Sequence, residues 1–355
     1  MLTFHPLTLR RRSTTADDAV CLELEAPPEL VERYRYQAGQ HLAVRATVDG
    51  KELRRTYSLV GPAGTALRLG VRVQGAMSRY LAEQLPLGAT LDAMEPSGRF
   101  KPAGGAAGAR RYVALASGSG ITPVLSIIAT LLAGEPDARV LLVYGNRTAG
   151  RAMFLDEVLE LKNRYIDRFS AQFMLSGESQ DVELFNGRLD GRKLRELAQT
   201  EFDPMAVDEY FICGPGDMVK ELTTTLRELG VPGRIHFERF AVDAAADRAV
   251  PPVRAATAAG AAGDVEVVIT MDGRRRSFSM PRDALILESA EKAGLALPYS
   301  CRAGVCTTCR AKVVEGAAAM DRNQALEDYE VQAGFVLCCQ ARPTTARIEL
   351  SYDDK

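Results

Sequence analysis

Cys301-Arg-Ala-Gly-Val-Cys306-Thr-Thr-Cys309 sets three cysteines in one tight, glycine-containing loop, and Cys338 and Cys339 follow close behind. The other two of the seven cysteines, Cys21 and Cys213, stand far apart in the preceding part of the 355-residue chain. A disulfide framework suits neither an odd count nor a long chain, whereas local clustering suits a metal centre. The spacing C-x4-C-x2-C, completed by a distant cysteine, is that of a [2Fe–2S] site. Two irons need four thiolates, and Gly304 lets the backbone wrap where a side chain would collide. Zinc is the alternative, but zinc usually takes paired C-x2-C hooks, and only Cys306 and Cys309 form one. For the fourth thiolate, Cys339 leaves twenty-nine residues after Cys309 and Cys338 leaves twenty-eight.

Working outward, Ala284–Ala293 reads as a short helix before the loop. Val265–Met271 and Ser277–Met280 flank Asp272-Gly273, a hairpin signal. Upstream, residues 241–263 are almost wholly Ala, Pro, Gly, Asp, Val and Arg, with no aromatic. That composition cannot offset the entropy of ordering and predicts a linker. Before the linker, strands at Tyr112–Ala116, Arg139–Tyr144, Ser170–Leu175, Glu209–Cys213 and Arg234–Phe237 alternate with helices at Arg151–Tyr165 and Asp217–Gly230. This predicts a parallel sheet covered on both faces. A softer boundary at Pro102–Gly108 precedes it. Before that boundary, Val20, Leu22 and Leu24, then Leu67, Leu69, Val71 and Val73, alternate with polar residues, predicting an antiparallel barrel. The expected domains are therefore 1–108, 109–240 and 264–355, with 241–263 between the last two.

Charge excludes little but points away from polyanions: 44 basic and 46 acidic side chains give a net charge of −2. Neither Arg10-Arg11-Arg12 nor Arg274-Arg275-Arg276 amounts to a nucleic-acid or membrane-binding surface. No stretch approaches the ~18 apolar residues of a membrane span, and Met1–Pro6 has no basic-then-apolar signal, so a cytoplasmic protein is expected.

Three further stretches carry chemistry. Arg55-Thr56-Tyr57-Ser58 ends an alternating run and offers a bidentate cation, a flat amphipathic ring and a small hydroxyl. Arg72-Val73-Gln74-Gly75-Ala76-Met77-Ser78 reads as strand, turn and N-cap, with Ser78 capping a helix over Arg79–Gln84 whose free amides would face a phosphate. Gly118-Ser119-Gly120-Ile121-Thr122-Pro123 lies between a buried strand and an apolar helix, again a phosphate cradle, with Pro123 in the helix's first turn. Cys213-Gly214-Pro215-Gly216-Asp217-Met218 repeats the strand–turn–helix arrangement. Cys213 and His236 could equally be core residues.

Together these stretches resemble the ferredoxin–NADP reductase superfamily, with a plant-type ferredoxin joined at the C-terminus. The resemblance implies an FAD-binding β-barrel, an α/β nucleotide-binding domain and a β-grasp ferredoxin domain. It implies that Arg55 pairs with the FAD pyrophosphate, that Tyr57 packs on the isoalloxazine, and that Ser58 sits near flavin N5. Leu87–Phe100 is similar to the family's "GDxLxVxxPxGxF" stretch. Gly118, Gly120, Thr122 and Pro123 are expected at the pyrophosphate and nicotinamide, with Thr122 nearest the latter. Cys213, Gly214, Pro215 and Met218 would close over the nicotinamide, and Glu238 and Phe240 of His236-Phe-Glu-Arg-Phe240 would lie beside the flavin. Ser58, Thr122 and Glu238 are thus the expected catalytic residues. Asn146 and Arg147, with Arg151 one helical turn on, fall where the adenosine ribose binds; the absence of a carboxylate there favours NADPH over NADH. Gly334-Phe-Val-Leu-Cys-Cys-Gln340 resembles the ferredoxin "GYVLTC" segment. That puts Cys339 with Cys301, Cys306 and Cys309 as the metal ligands.

The domain order is that of the reductase components of bacterial multicomponent oxygenases, implying electron transfer from NAD(P)H through FAD to the cluster and on to an oxygenase. Leu161-Lys-Asn-Arg-Tyr165 and Met320-Asp-Arg-Asn323 are most similar to the branch serving phenylacetyl-CoA epoxidation, whose partner is a di-iron epoxidase. Ketosteroid hydroxylase reductases share the order. A stand-alone flavin or ferric reductase, and a passive ferredoxin-like carrier, remain open at this point.

Overall fold

A computed structural model of the chain describes residues 3–104, 108–240 and 264–354, apart from the side chain of Asp328. The expected linker, 241–263, lies outside the described residues. By contacts the chain divides into two compact units, one running from Phe4 to the strand ending at Phe240 and the other containing everything after the linker.

The first unit begins with six antiparallel strands: β1 (His5–Ala16), β2 (Ala19–Glu25), β3 (His41–Val48), β4 (Lys51–Ser58), β5 (Leu67–Arg72) and, after a short helix α1 (Ala76–Arg79), β6 (Thr90–Ala93). Their order is β4-β3-β6-β1-β2-β5. The two edges meet just past Ser58, where Leu59 bridges Leu69 and Val60 N donates to Arg68 O at 2.9 Å, closing the sheet toward a barrel. The alternation seen in the sequence fills its inside: Leu7, Leu9, Leu22, Leu42, Val44, Leu69, Val71 and Leu91 form one buried cluster.

Parallel strands follow: β7 (Arg111–Ser117), α2 (Ile121–Gly134), β8 (Arg139–Asn146), α3 (Leu155–Arg164), β9 (Phe169–Leu175), α4 (Gly191–Thr200), β10 (Glu209–Pro215), α5 (Gly216–Glu228) and β11 (Arg234–Phe240). The sheet order is β11-β10-β7-β8-β9. The order reverses between β7 and β10, so a crevice opens outside their carboxyl ends, where such sheets bind ligands. One core cluster joins α2 and this sheet to Ala19, Cys21, Val60 and Phe100 of the barrel region, which is why the two expected domains form one compact unit.

Two helix expectations need correction. Ser78 is not an N-cap: α1 starts two residues earlier behind Gly75, and Ser78 Oγ accepts from Gln74 N and Gly75 N, both at 2.9 Å. Those two amides are therefore engaged, and the expected helix over 79–84 is a wider π-type turn, Tyr80–Gln84. The helix expected from Arg151 begins at Leu155, because Phe154 takes a left-handed φ of 57° that no helix continues. Arg151 instead ends a separate short turn, Ala149–Arg151.

The second unit contains β12 (Asp264–Met271), β13 (Arg274–Pro281), α6 (Ile286–Lys292), β14 (Arg310–Glu315), β15 (Ala318–Met320), α7 (Asp328–Gln332), β16 (Phe335–Leu337), β17 (Ala341–Pro343) and β18 (Arg347–Ser351). The main sheet runs β13-β12-β18-β14-β16, with β12 and β18 parallel and the other pairs antiparallel. Residues Ile286, Leu287 and Ala290 of α6 share its core, the layout of a β-grasp domain. Asp272 and Gly273, with φ of 53° and 68°, make the tight hairpin that their sequence signalled.

Candidate functional site

The cysteine loop of the second unit turns back on itself through two left-handed residues, Arg302 and Gly304. A Cβ on Gly304 would stand 3.1 Å from both Arg322 O and Gln340 Cγ, a tight fit at a φ of +74° that itself favours glycine. Gln340 Nε2 donates to Arg302 O at 2.8 Å, pinning the loop to the segment that carries Cys339, and Gln324 N donates to Gly304 O at 2.9 Å, pinning it to the stretch after β15. Four sulfurs meet as a chain: Cys306 against Cys301, Cys301 against Cys339, and Cys339 against Cys309. Ala303 N also donates to Cys301 Sγ at 3.4 Å. Hydrogen bonds from Cys306 and then Cys339 hold the Cys301 thiol well below its usual range, while sharing with Cys301 raises both partners. Among the described residues, no group of three or more His, Cys, Asp or Glu side chains is placed to hold a metal ion as it stands. Two irons need two pairs of thiolates, and a chain of four sulfurs with backbone amides nearby fits that donor set.

Cys338 points elsewhere. It is fully buried, and burial, with the nearby Cys309 as a lesser cause, pushes its thiol up to about 12; the Tyr352 hydroxyl beside it acts in the opposite direction.

In the first unit, β4 delivers the Arg55–Ser58 stretch to the end of the barrel. Ser58 is buried, and Tyr57 is half-buried with its hydroxyl raised by desolvation. Arg55 is exposed and donates to its neighbour's carbonyl, Arg54 O, at 2.8 Å; no carboxylate holds it among the described residues. Arg54, by contrast, pairs with Glu52 at 2.8 Å. The pattern leaves one cation of the two available. Met77 is buried against the barrel core, whereas the space beside Gly75 is open.

A cavity of about 300 Å³ lies at the carboxyl ends of β7, β8 and β10. Gly118, Asn146, Arg147, Gly214, Pro215, Met218 and Phe240 line it, as does Arg72 from the barrel. Buried Asn146 Nδ2 lies beside the Tyr144 hydroxyl without a well-formed hydrogen bond, a donor that a ligand's oxygen would satisfy. The other expected residues lie under the cavity. Thr122 is almost fully buried, its hydroxyl donating to Ser119 O at 2.9 Å, and Pro123 and Cys213 are buried as well. Burial raises the Cys213 thiol, with Glu238 as a lesser cause. Gly120 is where β7's loop crosses β10: a Cβ there would fall 2.1 Å from Cys213 O. Gly120→Ala is therefore expected to force backbone apart and destabilise the unit by ~1–3 kcal/mol, which urea unfolding would measure.

The arginines around this cavity sort differently from the expectation. Arg72 Nη1 donates to Asp18 at 2.7 Å and Arg151 Nη2 pairs with the same carboxylate at 2.6 Å, so Arg151 lines the cavity with Arg147 but is engaged by an acid there. Arg188, from the loop after β9, joins them. It lines the cavity with Arg147; both are exposed, and neither has a carboxylate partner among the described residues. The pattern reading missed Arg188 because its segment, Phe185-Asn-Gly-Arg188, carries no periodicity or motif of its own.

His41, the first residue of β3, was also missed. It pairs in register with Ser58 and is only 2% exposed, and its Nδ1 lies 3.6 Å from Glu238 Oε1. Glu238 in turn pairs in register with Cys213. His236 proves structural, bonding Glu209 at 2.7 Å and stacking on Phe211.

Three known families match along the chain. Residues 6–101 match the oxidoreductase FAD-binding domain family, residues 114–224 the oxidoreductase NAD-binding domain family, and residues 269–344 the 2Fe-2S iron-sulfur cluster binding domain family. The chain is 39% identical to one of the subunits of 1,2-phenylacetyl-CoA epoxidase from Escherichia coli K12, covering 100% of this chain and 99% of that one. It is 32% identical to the ferredoxin reductase component of 3-ketosteroid-9-alpha-monooxygenase from Mycolicibacterium smegmatis, over 91% and 89% of the two chains. Among solved structures, phthalate dioxygenase reductase shares the fold at a TM-score of 0.57 and 22% identity, with 98% of each chain covered. No helix among the described residues is long and apolar enough to cross a membrane.

Proposed function

We propose a division of labour for this chain, which belongs to the family of oxygenase reductase components that unite FAD-binding, NAD-binding and 2Fe-2S domains. It is an oxidoreductase that passes electrons from NAD(P)H through FAD to a [2Fe–2S] cluster. Bound flavin supplies the conversion between two-electron hydride transfer and one-electron transfer; the protein positions and tunes.

Residues 1–108 would hold the flavin, 109–240 the nicotinamide nucleotide and 264–355 the cluster, with 241–263 as linker. In the barrel, Arg55 would neutralise the flavin pyrophosphate, with Thr56 beside it on β4. Tyr57 would cover the ring and Ser58 would offer a hydroxyl at the reacting edge. Val73, Gly75, Met77 and Ser78 would form the turn beneath the phosphates, with Ser78 shaping it rather than capping a helix. Gly118, Gly214 and Pro215 would let the nucleotide approach the backbone, and Gly120, Thr122, Pro123, Cys213 and Met218 would form or support the floor. Phe240 would border the flavin, and Glu238 would stand at the reacting centre. Cys301, Cys306, Cys309 and Cys339 would hold the cluster. What carries this reading is the set of unmet needs in place where cofactors are expected: a chain of four sulfurs, an uncompensated Arg55 and a poorly paired amide on Asn146.

The oxygenase served would be a di-iron epoxidase acting on phenylacetyl-CoA in phenylacetate breakdown. The end-to-end 39% identity supports this above the 32% to a ketosteroid reductase. A cytoplasmic setting would suit Cys21, Cys213 and Cys338, the unbridged cysteines outside the cluster set. The test is reconstitution with the oxygenase subunits of a phenylacetyl-CoA epoxidase: NAD(P)H-dependent epoxide formation is expected. Coupling only to a ketosteroid hydroxylase would overturn the assignment.

NADPH would be preferred, held by Arg147 as expected and by Arg188, while Arg151 at the same cavity is engaged by Asp18. A charge-assisted contact is worth ~1.5–3 kcal/mol. Arg147→Ala should therefore raise the KM for NADPH on the order of ten- to a hundredfold and leave that for NADH nearly unchanged. An equal loss for both nucleotides, or a wild-type preference for NADH, would contradict it.

A further inference from the structure

The cavity at the carboxyl ends of β7, β8 and β10 has four arginines in its wall, Arg72, Arg147, Arg151 and Arg188, and no acidic residue among the described ones. One carboxylate touches that wall without lining the cavity. Asp18, in the turn between β1 and β2, accepts from Arg72 Nη1 at 2.7 Å on Oδ1 and 3.0 Å on Oδ2, and from Arg151 Nη2 at 2.6 Å on Oδ2. The two arginines differ in what else holds them. Arg72 has only 7% of its side chain exposed, and its Nη2 also donates to Arg151 O at 2.8 Å. Arg151 is 39% exposed, and Asp18 is its one carboxylate partner among the described residues. Backbone hydrogen bonds dock the turn independently of the Asp18 side chain: Asp17 N donates to Gly150 O at 2.9 Å, Val73 N to Asp18 O at 2.8 Å and Phe154 N to Thr15 O at 3.2 Å. The carboxylate is thus an electrostatic element at an otherwise cationic wall.

We propose that Asp18 is a specificity-determining residue for the nucleotide: it keeps the Arg151 guanidinium engaged and so limits the preference for a 2′-phosphate. This rests on the reading that Arg147 faces that phosphate. Arg151 ends the short turn Ala149–Arg151, which follows Arg147 directly after β8, so of the two arginines that Asp18 holds it is the one beside Arg147 in the chain. The sign follows from competition. A phosphate must draw Arg151 away from a carboxylate that already takes its charge-assisted hydrogen bond, and the attraction it gains is offset by the pair it breaks. NADPH bears this cost more than NADH, because only NADPH carries the extra phosphate. The pyrophosphate is common to both and drops out of their ratio. The consequence for the reaction is exchange, since a nucleotide gripped by a third free cation would leave more slowly after giving up its hydride.

The test is equilibrium binding of NADP+ and of NAD+ to the full holoprotein, measured by calorimetry in Asp18→Asn and in Asp18→Ser. Both changes remove the charge, so the question stays open to measurement if one of them folds poorly. NADP+ should bind on the order of tenfold more tightly than in wild type, with NAD+ within about twofold of it. Adding Arg151→Ala to Asp18→Asn should remove that gain, which ties it to the released guanidinium. A gain that survives in full without Arg151 would overturn the proposal. So would an unchanged ratio of the two dissociation constants, or an equal weakening of both nucleotides, which would make Asp18 a latch for its turn. Selective weakening of NADP+ would overturn it too, because Asp18 would then present Arg151 to the phosphate instead of restraining it. An NADP+ to NAD+ ratio that Arg147→Ala leaves unchanged would count against the 2′-phosphate reading itself, so the two failures are distinct.

Discussion

Cys339→Ser should yield a protein that keeps its flavin, still reduces ferricyanide with NADPH, and has lost most of its iron and acid-labile sulfide. Cys339 is the sulfur that ties the Cys301–Cys306 pair to Cys309, so its removal breaks the donor set in the middle. Electron delivery beyond the flavin should fall to background, because the flavin is left with no intramolecular acceptor. Cys338→Ser is the control. That thiol lies in the apolar core beside Tyr352, so a hydroxyl there disturbs packing but not the donor set. Iron should remain at two per chain, at a stability cost of ~1–3 kcal/mol for a poorly paired buried hydroxyl. Iron analysis and visible spectra distinguish the cases; loss of iron from Cys338→Ser with retention in Cys339→Ser would reverse the ligand assignment.

Arg55→Ala should release FAD. Arg55 has no carboxylate partner among the described residues, so its interaction with a pyrophosphate is not diverted into a salt bridge. Losing a charge-assisted contact of ~1.5–3 kcal/mol weakens FAD on the order of ten- to a hundredfold, enough to strip the cofactor during gel filtration. The fold should hold, since the side chain is exposed. Arg54→Ala is the comparison: Arg54 is engaged by Glu52 and stacks on Phe4, so its loss should cost little FAD. Equal FAD occupancy in Arg55→Ala and wild type, at micromolar protein, would remove Arg55 from the site.

Much of this was legible in the sequence because local chemistry and fold agree there. The cysteine loop is read by spacing alone, and the choice of Cys339 over Cys338, made by resemblance, coincides with which sulfur the backbone turns toward the loop. The period-two runs gave the barrel because one face of each strand is apolar, and the buried runs gave the parallel sheet because both faces are covered. Misreadings fell where tertiary contacts decide. Ser78 has the residue type of an N-cap, but its hydroxyl reaches back to two amides and the helix starts at Ala76, behind Gly75. Arg151 lies one turn from Arg147 only if a helix begins there. The left-handed Phe154 delays the helix to Leu155, and Asp18, far earlier in the sequence, engages Arg151, which nonetheless lines the cavity with Arg147. Arg188 and His41 could not be found by pattern, since each matters only through a partner brought near by folding.

The central claim is that one chain carries electrons from a nucleotide through a flavin to its own cluster. It is tested most directly by mixing the anaerobic holoprotein with one equivalent of NADPH and freezing samples at millisecond intervals for optical and electron-paramagnetic spectra. The expected record is loss of flavin absorbance first, followed by growth of a reduced [2Fe–2S] signal that is absent from Cys339→Ser. A flavin that becomes fully reduced while the wild-type cluster stays oxidised would contradict the account.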